Sequence, residues 1–168
     1  MSRSGLRPQQ FLEDLRHGAD RAVAELFKGF ATTVAGASPE RLEQVMATPA
    51  GRLVLEAIFW QMPRQLDRRR GRTVSASVRW RITSPDGSSE TVYDLIVASG
   101  RARVQRGERG TEPPVSITLD RVAFLRIASG AADPMAAYFR GELAIAGDLM
   151  VAAKLVSLFR VPRGGRPG

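Results

Sequence analysis

Residues 73–82, TVSASVRWRI, alternate without a break. Val74, Ala76, Val78, Trp80 and Ile82 take one side, and Thr73, Ser75, Ser77, Arg79 and Arg81 take the other. Successive side chains of a strand point to opposite faces, so this run predicts a strand buried on one face and wet on the other. Such a strand needs hydrogen-bonding neighbours and a cover for its apolar face. The neighbours follow in order. Ser84-Pro85-Asp86-Gly87-Ser88 reads as a hairpin turn into a partner strand at about 90–98, with Val92, Tyr93, Leu95, Ile96 and Val97 and, in its middle, the charge of Asp94. Ser99-Gly100 turns the chain into a short strand, 101–106, where Ala102 and Val104 sit among Arg101, Arg103 and Arg106. After a polar loop over 107–114, Val115, Ile117 and Leu119 make a fourth alternating strand.

The cover comes from helices on both sides of this run. Asp120 caps a helix over 121–129 that ends at Gly130. Asp133 caps a second, Pro134 to Arg140, with proline at its first position and Gly141 at its end. Leu143 and Ile145 mark a fifth strand, 141–146. Gly147 breaks it, and Asp148 opens a last helix to about Arg160, stopped by Pro162. On the N-terminal side, apolar spacing predicts helices over 8–17 and 19–34, split by Gly18. Ser38-Pro39 starts another over 39–47, with Leu42, Val45 and Met46 inward. Thr48-Pro49 starts one through Trp60, whose apolar face is Leu53, Ala57 and Trp60, with Val54, Ile58, Leu55 and Phe59 alongside. Helices gathered at the two ends of a strand meander predict an α+β fold with one sheet face covered. At 168 residues one domain is expected. Its helical segment 1–63 packs on the main body 64–161, and a disordered tail spans 162–168.

Composition removes several classes of chemistry. There is no cysteine, and His17 is the one histidine, so thiol nucleophiles, disulfides and His or Cys metal clusters are out. No cofactor is expected. The aspartates and tyrosine tempting for catalysis are Asp94, Asp120, Asp133, Asp148 and Tyr138. Three of these aspartates stand at helix starts, where capping accounts for them, so no enzyme is expected. MSRSGLRPQQF lacks a long apolar stretch, and no run of about 18 apolar residues occurs, so the expected location is cytoplasmic. The net charge is +8, and Lys28 and Lys154 are the only lysines. Arg64, Arg68, Arg69, Arg70 and Arg72 face only Asp67 in their run, which suits contact with an anionic membrane. No aromatic-and-basic strand motif accompanies them, so no specific nucleic-acid binding is expected.

The last helix is too greasy for an ordinary surface helix. Lys154, Ser157 and Arg160 are its polar residues, whereas an apolar stripe about 100° wide would suffice to bury one side. Two accounts compete. Phe124, Ile127, Met135, Tyr138, Phe139, Leu149, Met150 and Ala153 either pack on one another or line a cavity. The pattern Gly130, Pro134, Ala137, Tyr138-Phe139, Gly141, Leu143, Ile145, Gly147, Asp148, Ala152, Lys154-Leu155 resembles the C-terminal signature of the sterol carrier protein type 2 domain. The resemblance is strongest over 114–160, weaker over 71–113 and absent over 1–60. It implies a five-stranded, mostly antiparallel sheet covered by helices on one face, with a hydrophobic cavity between the layers. It further implies non-catalytic binding or transfer of a sterol, fatty acid, fatty acyl-CoA or isoprenoid-like ligand. The cavity lining would then be Trp80, Leu95, Val97, Phe124, Ile127, Met135, Tyr138, Phe139, Leu143, Ile145, Leu149, Met150 and Ala153. An accessory scaffold that presents a hydrophobic intermediate, such as a quinone precursor, to membrane-associated enzymes is the alternative. The N-terminal helices leave a homodimer open.

Overall fold

A computed structural model describes residues 29–108 and 111–159. The predicted helix 8–17, His17, most of the helix 19–34 and the tail 162–168 lie outside the described residues. Residues 29–36 are helical. Then come α1 (Pro39–Ala47), α2 (Pro49–Gln61), a 3-10 turn (Met62–Gln65) and α3 (Arg68–Gly71). The strands β1 (Ser75–Thr83), β2 (Glu90–Ala98), β3 (Arg101–Arg106) and β4 (Val115–Asp120) follow. The described chain closes with α4 (Arg121–Ala128), α5 (Pro134–Phe139), β5 (Leu143–Gly147) and α6 (Leu149–Ser157).

The five strands form one sheet in the order β3-β2-β1-β4-β5. Only β1 and β4, its centre, run parallel; the other pairings are antiparallel. The register sorts the residues as the alternation predicts. Trp80 stands opposite Tyr93 on one side and Ile117 on the other, and Val78 stands opposite Leu95 and Val115. Those side chains are buried, and Phe59, Leu55, Phe124, Leu125, Ala137, Ala152 and Leu155 from the helices complete the same core. The opposite face carries Arg79, Asp94, Arg81 and Glu90.

Local chemistry fixes the helix starts. Asp67, Asp120, Asp133 and Asp148 each accept hydrogen bonds from backbone N–H groups of the first turn that follows. Ser38 and Thr48 do the same for α1 and α2. These bonds satisfy donors that a helix leaves without intrahelical partners.

Two predicted faces are corrected. Val45 is 46% exposed, while its neighbours Leu42 and Met46 are buried. In α2 the inner stripe is Gly51, Leu55, Ile58 and Phe59, not Leu53, Ala57 and Trp60. Leu53 and Trp60 are both 68% exposed. The reason lies at Gly51, which is so close to the backbone of α1 that a Cβ there would collide with Met46. The close approach turns this side of α2 inward and carries the positions one and two turns later with it. The last helix also ends earlier than predicted, at Ser157.

Candidate functional site

Phe59 occupies the middle of the layer between sheet and helices. It is fully buried. Its ring stacks on Tyr93 of β2 at a centroid distance of 3.9 Å and on Phe124 of α4 at 4.8 Å. Trp80 of β1 meets both phenyl rings edge-on, Phe59 at 6.2 Å and Phe124 at 5.7 Å. Three separated segments therefore converge on one ring. Stacked and edge-to-face pairs of this kind add about 0.5–1.5 kcal/mol each beyond area burial.

The same cluster contains polar atoms that the protein leaves open. Trp80 Nε1, Tyr93 Oη and Arg121 Nε are buried with no hydrogen-bond partner among the described residues. Arg121 is held from its other end, where Nη1 donates to the Met46 carbonyl at 3.0 Å and Nη2 to Ser89 Oγ at 3.4 Å. Burial pushes the Tyr93 hydroxyl above its ordinary pKa, and the Glu56 carboxylate adds to the shift. Beside Tyr93 lies a cleft of about 130 Å³, lined by Glu56, Phe59, Trp60, Tyr93, Val104 and Arg106. An ion pair between Glu56 and Arg106 stands on its rim. Sequence reading missed Phe59 as the centre and Arg121 as a buried cation. Arg121 directly follows a capping aspartate, a place where a charged residue ordinarily faces water.

The residues predicted to line a cavity separate into two groups. Trp80, Leu95, Val97, Phe124 and Leu143 are buried, and Ile127, Tyr138 and Ile145 are partly buried against the core. Met135, Phe139, Leu149, Met150 and Ala153 are exposed. Phe139 and Met150 each show 78% of their surface. The terminal helix thus buries one side, with Ala152, Leu155 and Leu158, and presents apolar groups on another.

All five arginines of the basic run are exposed. They are brought together by a contact that the sequence does not signal. Gly100, in the turn between β2 and β3, donates its N–H to the Gly71 carbonyl at 3.1 Å. Gly100 has φ +73°, and a Cβ there would come within 2.9 Å of the Arg68 carbonyl. This approach places Arg101 next to Arg64, Arg68 and Arg72 around an open concavity of about 550 Å³. A second, of about 670 Å³, is lined by residues 64–70. Arg70 turns aside and donates to the Ser157 carbonyl at the end of α6.

The groups tempting for catalysis are otherwise engaged. Asp120, Asp133 and Asp148 cap helices. Asp94 lies on the far face of the sheet in a bidentate pair with Arg79, at 2.8 and 3.0 Å. Tyr138 stacks edge-on against Phe139. Among the described residues no cluster of three or more His, Cys, Asp or Glu side chains is placed to hold a metal ion. No described helix is long and apolar enough to cross a membrane.

This arrangement, a five-stranded sheet with a central parallel pair and helices over one face, is that of the sterol carrier domains. The chain belongs to the SCP-2 sterol transfer family, whose model matches residues 55–160. Sterol carrier protein 2 like 2 from Aedes aegypti shares the fold with a TM-score of 0.53 and 21% identity, over 64% of this chain and 98% of that one. The sec-alkylsulfatase Pisa1 from Pseudomonas sp. contains a similar fold, with a TM-score of 0.54 and 16% identity, over 62% of this chain and 16% of that one. Stomatin-like protein 1 of Mus musculus is 29% identical over 87 residues, which are 52% of this chain and 22% of that protein. This chain therefore corresponds to a fraction of the length of the sulfatase and of the stomatin-like protein.

Proposed function

We propose that the protein is a non-catalytic lipid carrier that takes one sterol, fatty-acyl or isoprenoid-like molecule between its sheet and its helices. Membership of the SCP-2 sterol transfer family over residues 55–160 carries this reading. The exposed Met135, Phe139, Leu149 and Met150 support it, because they are large apolar side chains concentrated on two short helices flanking β5. Burying a lipid chain is worth about 0.8 kcal/mol per CH₂ group, so an apolar site needs no ionic anchor for useful affinity. The expected result is that purified protein binds cis-parinaric acid at close to one molecule per chain, with the probe's fluorescence enhanced. Absence of any saturable binding, together with no lipid extractable from the native protein, rejects the carrier reading.

The arginine crescent fits the anionic membrane from which such a ligand would be collected. Each arginine near an anionic surface contributes about 1 kcal/mol. Replacing Arg68, Arg69 and Arg72 by glutamate is expected to lower binding to phosphatidylserine vesicles by at least about a hundredfold at low salt. Probe binding in solution should be unchanged. Co-sedimentation with vesicles checks this, and an unchanged vesicle affinity would assign the arginines to solubility alone.

A further inference from the structure

We infer that the ligand enters by displacing the Phe59 ring and brings a hydrogen-bond acceptor oxygen, of a carbonyl, ester or carboxylate, to the donors Trp80 Nε1, Tyr93 Oη and Arg121 Nε. This rests on the carrier reading and adds to it a place, a gate and a head-group chemistry.

The argument starts from the three open polar atoms. Trp80, Tyr93 and Arg121 are 7%, 2% and 3% exposed, and none of these atoms has a partner among the described residues. Buried polar atoms in proteins are nearly always hydrogen-bonded, so three in one core require an account. They share a neighbourhood. Trp80 and Tyr93 are cross-strand partners on the covered face of the sheet. Both rings touch Phe59. Arg121 stands one helical turn before Phe124, which also stacks on Phe59. Indole and guanidinium N–H groups only donate, and a phenol donates as readily as it accepts. What completes such a group is therefore an acceptor. The Glu56 carboxylate, which lines the cleft beside Tyr93, is paired with Arg106 at its rim.

The space for a ligand is the Phe59 ring itself. The cleft beside it, about 130 Å³, is smaller than the roughly 300 Å³ at which small-molecule sites begin. It reaches the flank of Phe59, and the outer side of α2 carries only exposed groups such as Leu53 and Trp60. Withdrawing Phe59 joins this cleft to the volume between Tyr93 and Phe124, with Trp80 at its side. The closed form then holds its own aromatic surrogate for the lipid, and the ligand exchanges with it. The oxygen of the ligand supplies what a phenyl ring cannot, an acceptor for the orphaned donors.

Binding of cis-parinaric acid to the full chain tests both halves. Phe59→Leu keeps an apolar filler but removes the stacked ring. It is expected to bind the probe about tenfold more tightly, because less of the population is closed against it. Tyr93→Phe and Trp80→Phe keep a ring and remove a donor. Each should weaken the probe by about three- to tenfold, and Tyr93→Phe should raise the melting temperature of the ligand-free protein. In competition, methyl oleate should displace the probe at least tenfold better than 1-octadecene, and this preference should shrink in both donor variants. If wild type binds the probe but Phe59→Leu binds no tighter, the exchange is overturned and the carrier reading stands. If 1-octadecene competes as well as methyl oleate, or Tyr93→Phe lowers the melting temperature and leaves affinity alone, the acceptor assignment is overturned. If neither wild type nor Phe59→Leu binds the probe, the carrier reading falls and takes this inference with it.

Discussion

Phe59→Ala is expected to cost about 3–5 kcal/mol of folding stability, the usual range for emptying a buried phenylalanine site. In urea this appears as a lower midpoint at unchanged slope, and in a melt as a fall of roughly 6–20 °C. The size follows from position. Phe59 is fully buried and stacks on rings from β2 and α4, so its removal opens a void that three segments would have to close together. Stacked rings relax poorly into such a void, which puts the expected cost in the upper half of the range. The adjacent Trp60 is the internal control. It is 68% exposed, and Trp60→Ala should stay within about 0.5 kcal/mol of wild type. A cost below about 1 kcal/mol at Phe59 would mean that the N-terminal helices are not part of the core. The opposite ordering of the two variants would place the wrong side of α2 against the sheet.

That side is where reading the sequence went astray, and the reason is general. Strict alternation puts Val78, Trp80 and Ile82 on the face opposite Arg79 and Arg81, as the register has them, but it reads that second face as wet, and Arg79 is buried there in its pair with Asp94. Caps announce themselves too, because Asp or Ser before a proline or an apolar run has a local job that Asp133, Asp148 and Ser38 all perform. The helix Pro49–Gln61 offers no such contrast. It has apolar residues on every side, and its rotation is set by the contact of Gly51 with Met46, two residues whose meeting depends on the angle between two helices. The candidate site fails to show in the sequence for the same reason. Trp80 and Tyr93 read as core aromatics, and nothing local says that their polar atoms lack partners. Arg121 reads as a surface residue because its acceptors, the Met46 carbonyl and Ser89 Oγ, come from distant parts of the chain. The exposure of Phe139 and Met150 was likewise hidden, since their apolar character alone fits burial as well as contact with a ligand or bilayer.

Asp94→Ala is expected to destabilise the fold by about 3 kcal/mol, the lower end of the cost of breaking a buried ion pair by removing one partner. Arg79 and Asp94 are 4% and 3% exposed although they lie on the sheet face opposite the one that the described helices pack against. They are direct partners in the β1–β2 register, and the two bonds use a geometry that only a guanidinium and a carboxylate share. The Asp94 contact holds the Arg79 guanidinium charge more tightly than usual and raises its pKa further above neutrality. A guanidinium keeps its proton in proteins even without a partner, so the arginine stays charged when the aspartate is removed. Glu108, at 4.0 Å from Arg79, takes up part of that charge and keeps the cost at the lower end. The double variant Arg79→Leu, Asp94→Leu leaves no charge stranded and should recover most of the loss, because a buried pair is worth little against an apolar replacement of similar size. Urea denaturation of the three proteins checks this, and a double variant no more stable than Asp94→Ala would refute it. The same experiment bears on function. Among the described residues Asp94 is the most buried carboxylate, and on sequence grounds it was one of the groups tempting for catalysis. It lies on the face of the sheet opposite Trp80 and Tyr93. A lipid carrier should therefore bind cis-parinaric acid equally well with the pair replaced by leucines, whereas a site working through Asp94 would not survive the exchange.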